Sequence, residues 1–251
     1  MNNLLKNDLF RRIISIIFLI IIWEIISQIV NDKVILPSPK EVAESIGYHA
    51  SQDLHNHVII TLFRVAVAFF LAMIIGSGIG ILMGRRKKFD DYFDGWLILA
   101  LNVPALVTII LCFIWFGLNE IAAIIAVAIN KIPTVTVILR EGTKAIDEKL
   151  LDVGKLYKLS KFEIIKNILC PQLFPYFVSA ARSGLALIWK IVLVVELLGR
   201  SNGVGFKINE FFSMFDTTSI LAYTLVFVFI IMSLEWFLIK PVEKRLTDWR
   251  I

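Results

Sequence analysis

The sequence is poor in charge and in the residues that most often carry out chemistry. Of its 251 residues, 19% are charged and 58% are hydrophobic, whereas soluble domains have about 25% charged residues. It contains two cysteines, Cys112 and Cys170, in neither a Cys-x-x-Cys pair nor a Cys/His metal spacing. These features argue against a disulfide-stabilised domain and against a metal site.

Two further absences argue against an enzyme. No G-x-x-x-x-G-K-[ST] motif occurs, so the chain has no P-loop for ATP, and ATP-driven work needs a second polypeptide. An intramembrane serine protease needs a histidine at membrane depth, but His49, His55 and His57 all fall in or beside one predicted loop. We therefore predict a chain with no catalytic residue and no cofactor of its own.

Long apolar runs are what the sequence has in abundance. A helix needs about 20 mostly apolar residues to cross about 30 Å of hydrocarbon. We predict an all-α, polytopic membrane protein with one domain over residues 1–251 and about six transmembrane helices. The predicted spans are residues 13–30, 58–84, 96–116, 121–139, 178–198 and 220–239.

The basic residues alternate between loops. Of 26 lysines and arginines, 18 lie in residues 1–12, 85–95, 140–177 and 240–251, while residues 31–57 and 199–219 hold four. The positive-inside rule therefore predicts a multi-pass protein whose termini and central segment are cytoplasmic. This distribution argues against a nucleic-acid partner despite the net charge of +5.

Residues 147–171 form a charged interlude that we predict to be a helical hairpin. The sequence SKFE at 160–163 is a capping box, in which the serine accepts a bond from the backbone and the glutamate returns one. One helix is predicted to end near Lys158, and a second to run from Lys161 to a break at Pro171. The pair either lies on anionic lipid or docks into a groove on a cytoplasmic partner. The residues that share an apolar face of the first helix are Leu150, Val153, Leu156 and Tyr157.

Several ionisable residues fall within the predicted spans, where they are costly and often functional. Lys190, near the centre of span five, is either a cation that lines a pathway for an anion or a member of a structural ion pair. A pair with Glu196 within the helix is disfavoured, because six residues place the two on different faces. Lys131 lies in the cytoplasmic half of span four, and Arg182 lies near the inner end of span five, where it can snorkel. We take these four residues as candidates for a translocation pathway.

The hairpin resembles the EAA loop of ATP-binding-cassette importer permeases, whose pattern is E-A-A, three residues, G, nine residues, I-x-L-P. Three departures stand out: Val153 and Gly154 replace the alanines, Lys158 replaces the glycine and Cys170 replaces the leucine. The resemblance implies a role in coupling to an ATPase for Leu151, Asp152, Val153, Gly154, Lys158, Ile168 and Pro171.

Other motifs in matching order are similar to the nitrate, sulfonate and taurine branch of these permeases. They are LPSP at 36–39, TLFR at 61–64, WFG at 115–117 and VVELLGRSNGVGF at 194–206. The resemblance implies a bacterial-type inner-membrane subunit that works by alternating access. Its partners would be a dimeric ATPase that binds ATP and Mg²⁺, a second permease subunit, an external substrate-binding protein and membrane lipid.

The resemblance does not decide the substrate or the role of one loop. The substrate would be a small anion such as a sulfonate, taurine or nitrate, although the branch also includes importers of pyrimidine-type vitamin precursors. Gly203, Gly205 and Phe206 would belong to an outer loop that reaches toward the binding protein; the alternative is an interfacial helix. An ATP-independent channel or secondary carrier is the competing class, and carriers usually have repeats and broken helices, neither of which is visible in the sequence.

Overall fold

The computed structural model describes residues 8–239. The predicted cytoplasmic termini, residues 1–7 and 240–251, lie outside the described residues. The described part consists of helices joined by short loops, and two of its helices run into single π-helical turns, Ile165–Leu169 and Glu235–Ile239. The helices are α1 (Asp8–Val30), α2 (Pro39–Ala50), α3 (Leu54–Arg85), α4 (Lys87–Asn102), α5 (Ala105–Phe116), α6 (Glu120–Lys144), α7 (Glu148–Leu156), α8 (Lys161–Ile164), α9 (Cys170–Gly199), α10 (Val204–Ser213) and α11 (Thr217–Leu234).

The core is built on the close approach of α3 and α6. Gly76, Gly80 and Gly84 recur every four residues on α3, so they form one stripe along the helix. A Cβ atom added to Gly76 would lie 2.7 Å from the Cβ atom of Val135, which leaves no room for any larger side chain. Small residues at such a stripe let two helix backbones pack directly against each other. α9 packs against both helices and contributes Ala180, Ile188 and Val192 to the core.

Four described helical segments are long and apolar enough to cross a membrane. They are α3, α6, the continuous stretch Lys161–Gly199 and the stretch Thr217–Phe237. The apolar part of α1, Ile14–Val30, is shorter. The total of six spans therefore stays a prediction.

The predicted third span, residues 96–116, is not one continuous helix. α4 ends at Asn102, α5 begins at Ala105, and the two axes differ by 96°. Pro104 causes the break, because proline lacks an N–H group and holds the preceding Val103 in an extended conformation (ψ 123°). The chain therefore does contain a broken helix, so the expected lack of one no longer counts against a secondary carrier.

The two ends of the helical core are formed by different helices and held by different contacts. We call the end where α6 begins the Glu120 end; α2, α10 and the start of α11 gather there, and His49 bonds to Ser219 across it (2.9 Å). We call the opposite end the Lys144 end. There α4 is joined to α6 by ion pairs from Arg140 and Lys144 to Asp90 (2.5 and 2.8 Å). The helical hairpin α7–α8 also lies at the Lys144 end.

Candidate functional site

The hairpin at the Lys144 end begins and turns through local hydrogen bonds. The side chain of Asp147 caps α7 by accepting a bond from the N–H group of Lys149 (2.9 Å). The capping box before α8 is confirmed, since Ser160 accepts from the N–H group of Glu163 (3.3 Å) and Glu163 accepts from that of Ser160 (2.7 Å). These caps satisfy backbone donors that a free helix end would leave unpaired.

The bend between the two helices sits at Lys158, the position that the EAA loop fills with glycine. Lys158 has a φ of 52°, in the left-handed region. Its N–H group donates to the carbonyl oxygen of Lys155 (2.9 Å), and that of Leu159 donates to Gly154 (3.0 Å). This is a Schellman motif, in which a left-handed residue ends the helix. The lysine adopts this conformation at a steric cost that glycine would not bear.

The predicted break at Pro171 is wrong, because the second helix of the hairpin runs straight on into α9. The π turn Ile165–Leu169 joins α8 to α9, and the N–H group of Cys170 donates to the carbonyl oxygen of Ile165. Pro171 follows where the usual ladder is already interrupted, so its missing N–H group does not end the helix. The second helix of the hairpin and the predicted fifth span are therefore one continuous helical element.

The first helix of the hairpin, α7, is fixed to this element by close packing. Gly154 is buried, and a Cβ atom there would lie 2.8 Å from Cδ1 of Ile168. The side chain of Gln172 accepts a bond from the N–H group of Asp147 (2.9 Å) and donates to the carbonyl oxygen of Ile168 (3.1 Å). Movement of α7 should therefore be transmitted directly to α9.

The apolar face of α7 is exposed. We call Leu150, Val153, Leu156 and Tyr157 the α7 face; between 46% and 79% of each residue is accessible. Leu151 is half-buried. Asp152 is exposed and pairs with Lys155 (2.8 Å), whose pKa this bond raises. An exposed apolar patch on a rigid helix is typical of a surface that docks a partner.

A buried ionic cluster closes the Glu120 end. Arg64 is 1% exposed and bonds Glu120 through Nε (2.6 Å), Glu196 through Nη1 (2.7 Å) and the side-chain oxygen of Asn202 through Nη2 (2.5 Å). Arg200 also pairs with Glu120 (2.9 Å). This cluster was not predicted from the sequence. One feature of the sequence could have indicated it: the TLFR and ELLGR motifs place Arg64 and Glu196, which carry opposite charges, near the predicted outer ends of two spans.

Glu196, a predicted pathway residue, is buried in this cluster. Besides Arg64, it accepts bonds from the Thr61 hydroxyl (3.0 Å) and from the N–H group of Gly205 (2.8 Å). A fully buried carboxylate with this many donors is a structural ion-pair partner and does not line a surface. The structure thus separates Glu196 from the other pathway candidates.

The outer-loop candidates are mostly beneath the surface. Gly203 has a φ of 109°, and both Gly203 and Gly205 are buried against Glu196, where a side chain would clash with it. Phe206 is half-buried beside the ring of His57, with the ring centroids 6.3 Å apart. The two glycines thus hold the loop in shape, and Ser201 is the exposed residue beside them.

The remaining pathway candidates differ in how far they are exposed. Lys131 is 2% exposed, and its ammonium donates to the carbonyl oxygen of Ser183 (3.3 Å). Lys190 is exposed on α9, with Nζ 5.5 Å from the centre of the Trp189 ring. Arg182 is exposed on the same helix. In the part of the chain that the structure describes, neither lysine forms a salt bridge to a carboxylate.

No group of three or more histidine, cysteine, aspartate or glutamate side chains within residues 8–239 is arranged to hold a metal ion.

Similar solved structures show the fold. A chain of the inward-facing methionine ABC transporter MetNI matches 77% of this chain and 95% of its own length, with a TM-score of 0.67 and 16% sequence identity. An amino acid ABC transporter matches 79% and 96%, with a TM-score of 0.64 and 18% identity.

Sequence comparisons identify the family. The chain is 28% identical to the putative aliphatic sulfonates transport permease protein SsuC of Bacillus subtilis, over 92% of this chain and 84% of that protein. It is 25% identical to the taurine transport system permease protein TauC of Escherichia coli (93% and 86%) and 27% identical to the nitrate import permease protein NrtB of Synechocystis (79% and 75%). Residues 76–239, well over half of the chain, match the model for the binding-protein-dependent transport system inner membrane component. The chain therefore belongs to this family of membrane transport permeases.

Proposed function

We propose that this chain is the permease subunit of an ATP-driven importer for a small anion such as a sulfonate, taurine or nitrate. Three similar permeases carry the names of these substrates. The exposed cation Lys190, within the predicted fifth span, supports an anionic substrate. The proposed domain is the whole chain, residues 1–251, with six spans in a bacterial-type inner membrane and both termini in the cytoplasm.

The observation that carries the coupling role is the exposed α7 face on a rigid support. We propose that this face docks into a cleft of a separate ATPase dimer, which binds ATP and Mg²⁺. Burying four exposed apolar residues supplies the affinity of such an interface. Gly154, Ile168 and Gln172 then transmit the motion of the ATPase to α9.

The remaining partners follow from this assignment. A second permease subunit, most simply a second copy of this chain, completes the pathway, and an external binding protein delivers substrate at the Glu120 end. ATP-driven closure of the ATPase moves the hairpins and opens the pathway outward, and hydrolysis resets it inward. Such a mechanism needs a stiff connector between two parts that each have two states.

The first experiment is a pull-down of the tagged chain from native membranes in mild detergent, with co-purifying chains identified by mass spectrometry. We expect a stoichiometric P-loop ATPase and, after crosslinking, a substrate-binding protein. A chain that purifies alone even after crosslinking would instead favour a channel or secondary carrier, with the hairpin lying on lipid.

Reversal of the charge at Asp152 tests the position of the coupling surface. Asp152 is exposed beside the α7 face and makes one surface ion pair, so Asp152→Arg should leave the fold intact. We expect it to abolish substrate-stimulated ATP hydrolysis by the complex. The matched control is Asp91→Arg, which changes an exposed acid of α4 and should leave hydrolysis unchanged. Normal stimulation in the Asp152 variant would show that the coupling surface lies elsewhere.

A further inference from the structure

The corner between α3 and α4, at the Lys144 end, is strongly basic. Four consecutive residues are exposed there, namely Arg85, Arg86, Lys87 and Lys88. Within residues 8–239, none of these four side chains is hydrogen-bonded or paired with a carboxylate. Asp91 is an exposed acid close by in sequence, and it offsets one of the four positive charges. The corner therefore presents uncompensated positive charge to an anion.

The opposite face of α4 is tied to α6, which fixes the direction in which the corner points. Asp90 is buried and pairs with Arg140 and Lys144. Asp94 also pairs with Arg140 (2.7 Å), and Leu97 is buried one turn further on. Asp90, Asp94 and Leu97 are four and three residues apart, so they share one face of the helix. The remaining face of α4 is held outward, away from the core.

The outward stripe of α4 changes from charged to apolar along its length. Lys88, Tyr92 and Trp96 recur every four residues, and Leu99 follows three residues later. Tyr92, Trp96 and Leu99 are each between 63% and 80% exposed. Tyrosine and tryptophan are enriched where lipid head groups meet hydrocarbon, because they combine an apolar ring with a polar group. The order of residues along the stripe thus matches the change in polarity from head groups to acyl chains.

The dimensions of the stripe agree with a membrane interface. Trp96 lies about 12 Å and Leu99 about 17 Å from Lys88 along the helix axis, and these are upper limits on their differences in depth. The polar region on each side of the hydrocarbon is about 5–8 Å thick. Lys88 can therefore lie at the level of the lipid phosphates while Leu99 reaches the hydrocarbon.

We propose that this corner binds the head group of an anionic phospholipid in the leaflet at the Lys144 end, which is the predicted cytoplasmic leaflet. Lys87 and Lys88 would contact the phosphate, with Tyr92 beside the glycerol backbone. A lipid fits better than a protein partner, because the polarity of the adjoining stripe follows membrane depth. Each lysine or arginine near an anionic membrane surface strengthens binding about fivefold. The site depends on insertion of the chain into a membrane, and on neither the substrate nor the ATPase.

Quenching of Trp96 fluorescence by brominated lipids tests the site. The full chain and its Trp96→Phe variant are reconstituted into phosphatidylcholine vesicles, and the difference between their spectra isolates the emission of Trp96. Phosphatidylglycerol or phosphatidylcholine, each brominated near the head-group end of its acyl chains, is then included at increasing mole fraction. We expect both lipids to quench Trp96, with phosphatidylglycerol binding roughly 10- to 25-fold more tightly through two lysines. This preference should weaken as salt is raised from about 0.05 to 0.5 M, because salt screens exposed charges.

Paired charge variants locate the head-group site. Lys87→Gln with Lys88→Gln should lower the preference for phosphatidylglycerol by roughly 10- to 25-fold. Lys161→Gln with Lys166→Gln removes the same charge from exposed positions on the hairpin and should leave the preference unchanged. Quenching by brominated phosphatidylcholine should be the same in both double variants, which shows that the stripe stays in place.

Four outcomes would each overturn the lipid site. Absence of quenching by either lipid would show that protein covers the stripe. Equal binding of the two lipids would show that the corner does not recognise the anionic head group. A preference that is insensitive to salt, or that falls equally in the two double variants, would show that the charges of the corner do not cause it.

Discussion

At the scale of single residues, Arg64 shows why a charge can persist inside this protein. Its guanidinium meets two carboxylates and a side-chain amide, which satisfy its donors where water is excluded. Removing one partner from a buried ion pair leaves the other charge uncompensated, and this costs more than the pair itself contributes. Removing one member of the cluster should therefore cost more stability than replacing a whole ion pair by apolar residues.

Glu196→Ala should be strongly destabilising even though Arg64 keeps Glu120 as a partner, because three buried donors lose their shared acceptor. It removes the acceptor shared by Arg64, Thr61 and Gly205, and we expect the free energy of unfolding to fall by about 3–5 kcal/mol. Denaturant titration in mixed micelles measures the change. Glu210→Ala is the matched control, since Glu210 pairs with Lys207 at a partly exposed site and should lose less than about 1 kcal/mol. Equal losses in the two variants would contradict the structural role of Glu196.

A second residue-scale prediction concerns pH. Partial burial raises the pKa of Asp53, but hydrogen bonds from Lys207, Tyr223 and His57 outweigh it and lower the pKa to about 2. Because the pKa in the folded protein is below the ordinary value of 3.8, Asp53 stabilises the fold above about pH 4. That contribution should be lost as the pH falls from about 4 to 2.

Asp53→Asn tests this prediction through thermal unfolding as a function of pH. The variant should be less stable than the parent at neutral pH, and the difference should shrink across the acidic window. The side chain of Asp53 is 44% exposed, so the effect should be modest. Parallel curves for parent and variant between pH 2 and 5 would rule out the linkage.

At the scale of helices, the packing of α3 on α6 depends on positions without side chains. A Cβ atom at Gly80 would lie 2.9 Å from the Cβ atom of Leu139 and 3.1 Å from the backbone nitrogen of Arg140. Backbone atoms cannot rotate away, so the helices themselves must separate. The same stripe carries Gly76 and Gly84, which makes the interface sensitive along its whole length.

Gly80→Ala should therefore lower the free energy of unfolding by about 1–3 kcal/mol through overpacking. Gly78→Ala provides the matched control two residues away, because no atom lies within 4 Å of the added methyl group there. That variant should be neutral, or more stable by up to about 1 kcal/mol, since alanine favours helix more than glycine does. Both are measured by denaturant titration. A smaller loss for Gly80→Ala than for Gly78→Ala would contradict the packing of α3 on α6.

At the scale of the whole molecule, the two ends are built for different tasks. Ion pairs and backbone bonds hold α10 and its loop to α3 and α9 at the Glu120 end. At the Lys144 end the α7 face is exposed, on a hairpin fixed to α9. A rigidly bonded Glu120 end and an exposed docking face at the Lys144 end agree with the proposed role, in which the subunit transmits motion from one side of a membrane to the other.

Cysteine labelling tests the predicted orientation of these ends. Cys170 is exposed at the Lys144 end, so in intact cells an impermeant maleimide should react with it only after permeabilisation. Ser201 is exposed in the loop at the Glu120 end, so Ser201→Cys in a Cys170→Ser background should react without permeabilisation. Reaction of Cys170 in intact cells would reverse the orientation predicted from the basic loops.

Some features of the hairpin could be predicted from sequence because they depend on neighbouring residues. The capping box at Ser160 and Glu163 joins groups three residues apart, and it forms as predicted. The fate of the helix at Pro171 could not be predicted in this way. A π turn beside the proline decides it, and no local pattern in the sequence marks that turn.

That this chain is helical and apolar, with basic residues in alternate loops, can be read from its residues alone, because segment length and charge distribution act locally on the partition into a membrane. Which charged residues contact one another depends on how the helices pack. Arg64 and Glu196 are 132 residues apart, and no periodicity links them until α3 and α9 pack together. The tertiary structure likewise separated the buried Glu196 from the exposed Lys190, because the face that a helical residue presents depends on which neighbours cover it.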